Sequence, residues 1–198
     1  MKKPMLANSI FVRTGVFLAT VLLAACAGDI TSAPQATPHP QDASKALVGM
    51  VDGVYNVTID PRADQVLSAG RNSLTIPAHS ICALGISTYG PSHWDSTCRP
   101  EARPVTITAI VRNASTDHPS IQFEPAMRFS PATVVTLQLF VSDAATLSNM
   151  AVVKYCGRFA PSCVDESLTD PSVKTTINKT AGSLSRRIKH FSGYVVSE

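Results

Sequence analysis

From about Gly49 onward, apolar and polar residues alternate with period two. Tyr55, Val57 and Ile59 alternate with Asn56, Thr58 and Asp60, and Leu74 and Ile76 with Ser73 and Thr75. Val105, Ile107, Ala109 and Val111 alternate with Thr106, Thr108, Ile110 and Arg112; Ile121 and Phe123 with Gln122 and Glu124; Val135, Leu137, Leu139 and Val141 with Thr136, Gln138 and Phe140. Successive side chains of a strand point to opposite faces, so each run predicts a strand with one buried and one wetted face. Met150–Tyr155, Thr175–Thr180, Ser183–Ile188 and Phe191–Val196 complete the set. Asp60-Pro61, the Asn113–Pro119 stretch, Asp170-Pro171 and Ala181-Gly182 supply turns between them. Short strands with frequent turns predict an all-β fold, an antiparallel β-sandwich, over residues 51–198. Only Asp143–Asn149 has helical character, for two turns at most, and no internal repeat is visible.

The first fifty residues follow a different pattern. Lys2, Lys3 and Arg13 precede an uncharged run from Thr14 to Ala25 that is rich in Val, Leu and Ala. That run is shorter than the ~18–20 residues a membrane span needs, and with its basic start it predicts a signal peptide over residues 1–25. It ends Leu23-Ala24-Ala25-Cys26, which resembles the lipobox of bacterial lipoproteins. The resemblance implies acylation of Cys26, cleavage before it, and anchorage by acyl chains worth about 0.8 kcal/mol per buried methylene. Ala27, not Asp, follows the cysteine, which in such systems favours the outer membrane. The expected location is the bacterial cell envelope, facing the periplasm or the exterior. Residues 26–50 hold Pro34, Pro38 and Pro40 with no apolar period, and predict a semi-extended linker.

Charge sharpens this division. The 198 residues carry 17 Lys and Arg against 14 Asp and Glu, and the excess is the three basic residues of the leader. A mature chain of zero net charge argues against a nucleic-acid partner, which calls for a basic surface. Lys174, Lys179, Arg186, Arg187 and Lys189 form a basic C-terminal stretch whose pattern predicts a wetted strand face. The partners expected are the membrane, through the anchor, and an envelope protein or glycan.

Cys26 aside, four cysteines remain, Cys82, Cys98, Cys156 and Cys163, an even number in an exported chain. Three pairings are possible, and the local one, Cys82–Cys98 with Cys156–Cys163, is the simplest. A zinc site built from His79, Cys82, His93 and Cys98 is the alternative; the oxidising compartment favours disulfides, and no metal or other cofactor is expected. The Cys82–Cys98 segment also carries Tyr89 and the single tryptophan, Trp94. These are candidate residues for stacking on a sugar or partner, although a Trp in such a loop more often plugs its base. Asp165-Glu166 is read as a solvated turn in preference to a calcium site.

Three further runs carry a family resemblance. Asn72–Ile81 (NSLTIPAHSI), Phe123–Ser130 (FEPAMRFS) with the following Val134–Leu139, and His190-Phe191-Ser192-Gly193-Tyr194 resemble, in order, segments of the ZU-five domain. That domain is the β-sandwich shared by zonula-occludens proteins, netrin receptors and ankyrins, and it also occurs in bacterial surface proteins. The resemblance covers roughly residues 51–198, while the Cys82–Cys98 segment departs from it. It implies a binding or mechanical module without substrate turnover. In related function-to-find domains the Phe–Ser bond of such a His-Phe-Ser site cleaves itself. Here Ser192 would attack the Phe191 carbonyl with His190 as base, since residues i and i+2 share a strand face. The alternative is a closing strand with Phe191 in the core and His190 and Ser192 together on its other face.

Overall fold

The computed structural model describes residues 51–198; the leader, Cys26 and the linker lie outside the described residues. Among those residues the period-two runs become antiparallel strands in two sheets. In chain order they are β1 (Gly53–Ile59), β2 (Gln65–Ala69), β3 (Asn72–Ile76), β4 (Val105–Arg112), β5 (Ser120–Glu124), β6 (Val135–Phe140), β7 (Val152–Gly157), β8 (Ala160–Val164), β9 (Thr176–Asn178), β10 (Ser183–Ile188) and β11 (Gly193–Ser197). The larger sheet runs β1-β4-β5-β11-β7-β8 and the smaller β2-β3-β6-β10-β9. Alternation decides which face is buried. β4 turns Val105, Ile107, Ala109 and Val111 inward, and β6 turns Val135, Leu137 and Leu139 inward. The two inner faces form one core, as sheets with one apolar face must pair to remove it from water. Phe191 lies at its centre, stacked on Phe123 at 4.6 Å and edge-on to Phe129 at 4.9 Å. The architecture is an antiparallel β-sandwich, as the alternation predicts.

The departures have local causes. β2 escapes the pattern because it carries little apolar signal: Val66 points outward, 66% exposed, and only Ala69 is fully inside. It exists because the two-residue Gly70-Arg71 turn, with Gly70 at φ 63°, folds it onto β3. β8 escapes because its sequence, APSCV, holds a proline and no apolar alternation. Asp143–Asn149 forms turns, not a helix; the Asp143 carboxylate accepts the Ala145 N–H, a local bond that competes with helical pairing, while Leu147 drops into the core. The closing strand begins at Gly193, so His190-Phe191-Ser192 forms the bend that feeds it.

Candidate functional site

Cys82 is bonded to Cys98 and Cys156 to Cys163, the local pairing. With Cys82 and Cys98 joined, the zinc alternative loses both thiolates; His79 is an exposed turn residue at φ 61° and His93 ends a single 3-10 turn.

The Cys82–Cys98 loop folds down onto one end of the sandwich. Arg128, 5% exposed, spends its guanidinium on three loop carbonyls: Thr88 at 2.8 Å, Ser96 at 2.6 Å and Thr97 at 3.3 Å. Glu101 gathers the N–H groups of Leu84, Ala102 and Arg103, and these bonds, led by that of Arg103, hold its carboxyl below the usual range against the opposing effect of burial. Trp94 turns inward. Its ring stacks on the His190 imidazole at 3.8 Å and stands edge-on to Tyr155 at 5.6 Å. Trp94 is therefore a plug in this structure. Tyr89 stands edge-on to the same imidazole at 6.1 Å and donates its hydroxyl to the Phe191 carbonyl oxygen at 2.8 Å. Burial pushes the Tyr89 phenol up to about 12, with the Ser192 side chain pulling in the opposite direction.

Beneath Trp94 lies a buried polar chain. Arg186 extends from β10 into the core, donating to the Val153 carbonyl at 2.5 Å and to Glu166 Oε2 at 2.7 Å. The other Glu166 oxygen is 3.3 Å from His190 Nε2, and His190 Nδ1 is 3.4 Å from the Tyr194 hydroxyl, which itself donates to the His190 carbonyl at 2.6 Å. Burial, opposed by the Glu166 carboxylate and reinforced by Arg186 and Lys189, lowers the His190 pKa and favours the neutral ring. Asp95 and Asp170 both pair with Lys189 Nζ at 2.5 Å; those bonds outweigh burial and raise the lysine.

This corrects three expectations. His190 does not share a wetted face with Ser192: it is fully buried, because the bend at 190–192 breaks the strand alternation. Asp165-Glu166 is not a solvated turn, since Asp165 caps a 3-10 turn and thereby aims Glu166 at Arg186. The basic C-terminal stretch is not one wetted face. Arg186 is buried, Arg187 holds the Pro131 and Thr133 carbonyls, and Lys189 is paired, leaving Lys174 and Lys179 exposed.

The outer face of the larger sheet carries an open groove of about 820 Å³. One cross-strand row, Ile110–Gln122–Gly193–Cys156, crosses it. Gly193 contributes no side chain, and an added Cβ there would lie 2.5 Å from the Cys156 carbonyl oxygen. A Cβ at Gly157 would meet a side chain, Ser192 Oγ, at 2.2 Å, which can turn away where the Cys156 backbone cannot. The groove is bounded by Arg112 on β4, by the Cys156–Cys163 bridge with Arg158, and by Tyr89. Sequence reasoning missed it because it depends on which strands are neighbours; Gly193, in the His190–Tyr194 run, was the available signal.

The three runs that carry the family resemblance meet in space. Phe123 N–H donates to Ser192 O at 2.9 Å, Phe191 N–H to Met127 O at 2.7 Å, and Ser130 N–H to Ser80 O at 2.7 Å. Compared with family models, with curated proteins and with solved structures, the chain matches none.

Proposed function

We propose that the protein is a lipid-anchored module of the bacterial cell envelope, tethered through Cys26, whose β-sandwich holds a partner without turning over substrate. The observation that carries this reading is the contrast between a sealed interior and an open outer face. Trp94 covers His190, and Arg186 is buried on Glu166, whereas the groove at Gly193 has a built floor and walls and nothing of the chain's described residues filling it. A concavity of several hundred Å³ with a few convergent polar groups is the usual form of a binding site. The ZU-five resemblance and the lipobox support the same reading. The glycan-binding alternative shifts with the geometry: Tyr89 remains a candidate contact, and Trp94 becomes its support.

Two measurements test it. Metabolic labelling with a palmitate analogue should label the wild type and spare Cys26→Ser; equal labelling removes the anchor. A photo-reactive residue at exposed Gln122, inside the groove, should yield a discrete adduct in intact cells that the same residue at exposed Thr58, on the sheet edge, does not. No adduct at Gln122 sinks the binding role.

A second reading, self-cleavage at Phe191–Ser192, draws support from one contact. The Tyr89 hydroxyl already donates to the carbonyl oxygen that would become the oxyanion. Against it, both His190 ring nitrogens face other partners, Glu166 and Tyr194, and the peptide is held on both sides by main-chain bonds to Met127 and Phe123. The expected result is one intact mass after prolonged incubation. A species lacking Ser192–Glu198 that disappears in Ser192→Ala would establish the cleavage.

A further inference from the structure

We infer that the outer-face groove recognises an acidic polysaccharide, one whose sugar units carry carboxylates. The inference rests on the reading of the sandwich as a binding module and adds the chemistry of the ligand. It begins with charge. Arg112 and Arg158 border the groove on opposite sides, both are exposed, and neither has an acidic partner among the described residues. Most other arginines near the site are spent on structure: Arg128 on loop carbonyls, Arg186 on Glu166, Arg187 on Pro131 and Thr133. The one carboxylate in the lining, Glu124, accepts the Gln122 side-chain amide at 3.1 Å. Two guanidinium forks, each able to take a carboxylate through paired hydrogen bonds, thus stand over a concave floor.

The spacing of the two cations points to an extended ligand. Arg112 is on β4 and Arg158 follows β7, with β5 and β11 between. Three inter-strand steps of about 4.8 Å separate those strands, which exceeds any single carboxylate and suits a chain bearing charges at intervals.

The backbone decides against a peptide. Extended peptides are held chiefly by main-chain hydrogen bonds to a free sheet edge. The floor of the groove offers none, because β4, β5, β11 and β7 are each paired on both sides; the free edge of β8 lies at the wall, on the side of that five-residue strand away from β7. Even the Phe191 carbonyl, next to the floor, already accepts the Tyr89 hydroxyl. Recognition there must come from side chains. Tyr89, half-buried, is the aromatic of the groove's rim on which a sugar ring can stack, and Phe159, 44% exposed, stands 6.0 Å from it outside the lining, beside Arg158. Ser192, Gln122 and Glu124 supply the polar contacts that orient hydroxyl-rich ligands.

The test titrates the detergent-solubilised full protein with polygalacturonate oligosaccharides, against neutral dextran and poly-glutamate, by calorimetry. Polygalacturonate should bind, more weakly as salt rises, and dextran should not. Arg112→Gln and Arg158→Gln should each weaken binding at least tenfold with unchanged melting temperature, and Lys179→Gln, in the turn after β9 of the other sheet, should leave it intact. Absence of polygalacturonate binding, equal binding by the doubly substituted Arg112→Gln/Arg158→Gln protein, or tighter binding of poly-glutamate would each overturn the inference. If polygalacturonate fails while Gln122 crosslinks to a protein in cells, the ligand chemistry falls and the binding module stands; if Gln122 crosslinks to nothing, the module itself falls.

Discussion

The two disulfide loops use the same covalent device in opposite settings. The Cys82–Cys98 bridge spans 16 residues and closes a loop that is fastened many times over: by Arg128, by Glu101, by Trp94 on His190, by Tyr89 on Phe191, and by Asp95 with Lys189. The Cys156–Cys163 bridge spans seven residues across a single hairpin, whose register is irregular between Tyr155 and Gly157 and whose outer strand is an edge. In the chain-entropy account the longer loop contributes about 3 kcal/mol and the shorter about 2 kcal/mol. The tertiary contacts reverse the local consequence. The first bridge is redundant for holding its loop in place, and the second is the principal fastener of the groove's wall.

An effect as large as any is expected where redundancy depends on one buried group. Arg128→Met leaves three inward carbonyls without a donor, and should lower unfolding free energy by about 3 kcal/mol in urea titration. Retention of wild-type stability would mean that the loop is held by its bridge and not by the guanidinium.

Removing the bridges one at a time tests the comparison directly. Cys156→Ser/Cys163→Ser should cost about 2 kcal/mol and expose the hairpin amides to rapid hydrogen exchange. Cys82→Ser/Cys98→Ser should cost about 3 kcal/mol globally yet leave exchange at Trp94 and Tyr89 slow. Fast exchange in the larger loop would show that its other anchors are secondary to the disulfide.

Trp94 separates the shape of the plug from its polarity. The indole nitrogen is buried and finds no acceptor among the described residues, so Trp94→Phe should cost about 1 kcal/mol or less. Trp94→Ala uncovers His190 and should cost about 3 kcal/mol. Thermal melts read both.

The smallest effect is a pH dependence centred under that plug. The His190 pKa is lowered by burial, with Arg186 and Lys189 adding to it and Glu166 opposing, while Tyr155 and Tyr194 pack around the ring. A lowered folded pKa means the unfolded chain binds the proton more readily. The stability linked to neutral His190 is present above the ordinary histidine value of about 6.5 and is lost as pH falls below it. The limit is about 1.4 kcal/mol per pH unit for one group. Between pH 7 and 5 the wild type should lose more stability than His190→Phe; identical slopes would place the dependence elsewhere. The carboxyls of Asp170 and Glu101, both lowered, add their loss only at more acidic pH.

Alternation alone determined the fold class of this protein, the strands from β3 to β6 and the inward set of each, because a strand with one apolar face has only one way to remove it from water. Cysteine number and spacing made the local pairing the simplest of three. What alternation could not determine was the fate of residues that break it. β2 and β8 needed their hairpin partners to become strands. Arg186 and Glu166 read as surface charges because a sequence does not reveal that a turn 20 residues earlier returns a carboxylate to a buried guanidinium. Trp94 was legible as a loop aromatic, with its direction set by the imidazole it covers. The groove belongs wholly to tertiary structure. Ile110, Gln122, Gly193 and Cys156 lie far apart in the chain, and only the order β4-β5-β11-β7 aligns them into one row with a glycine at its centre.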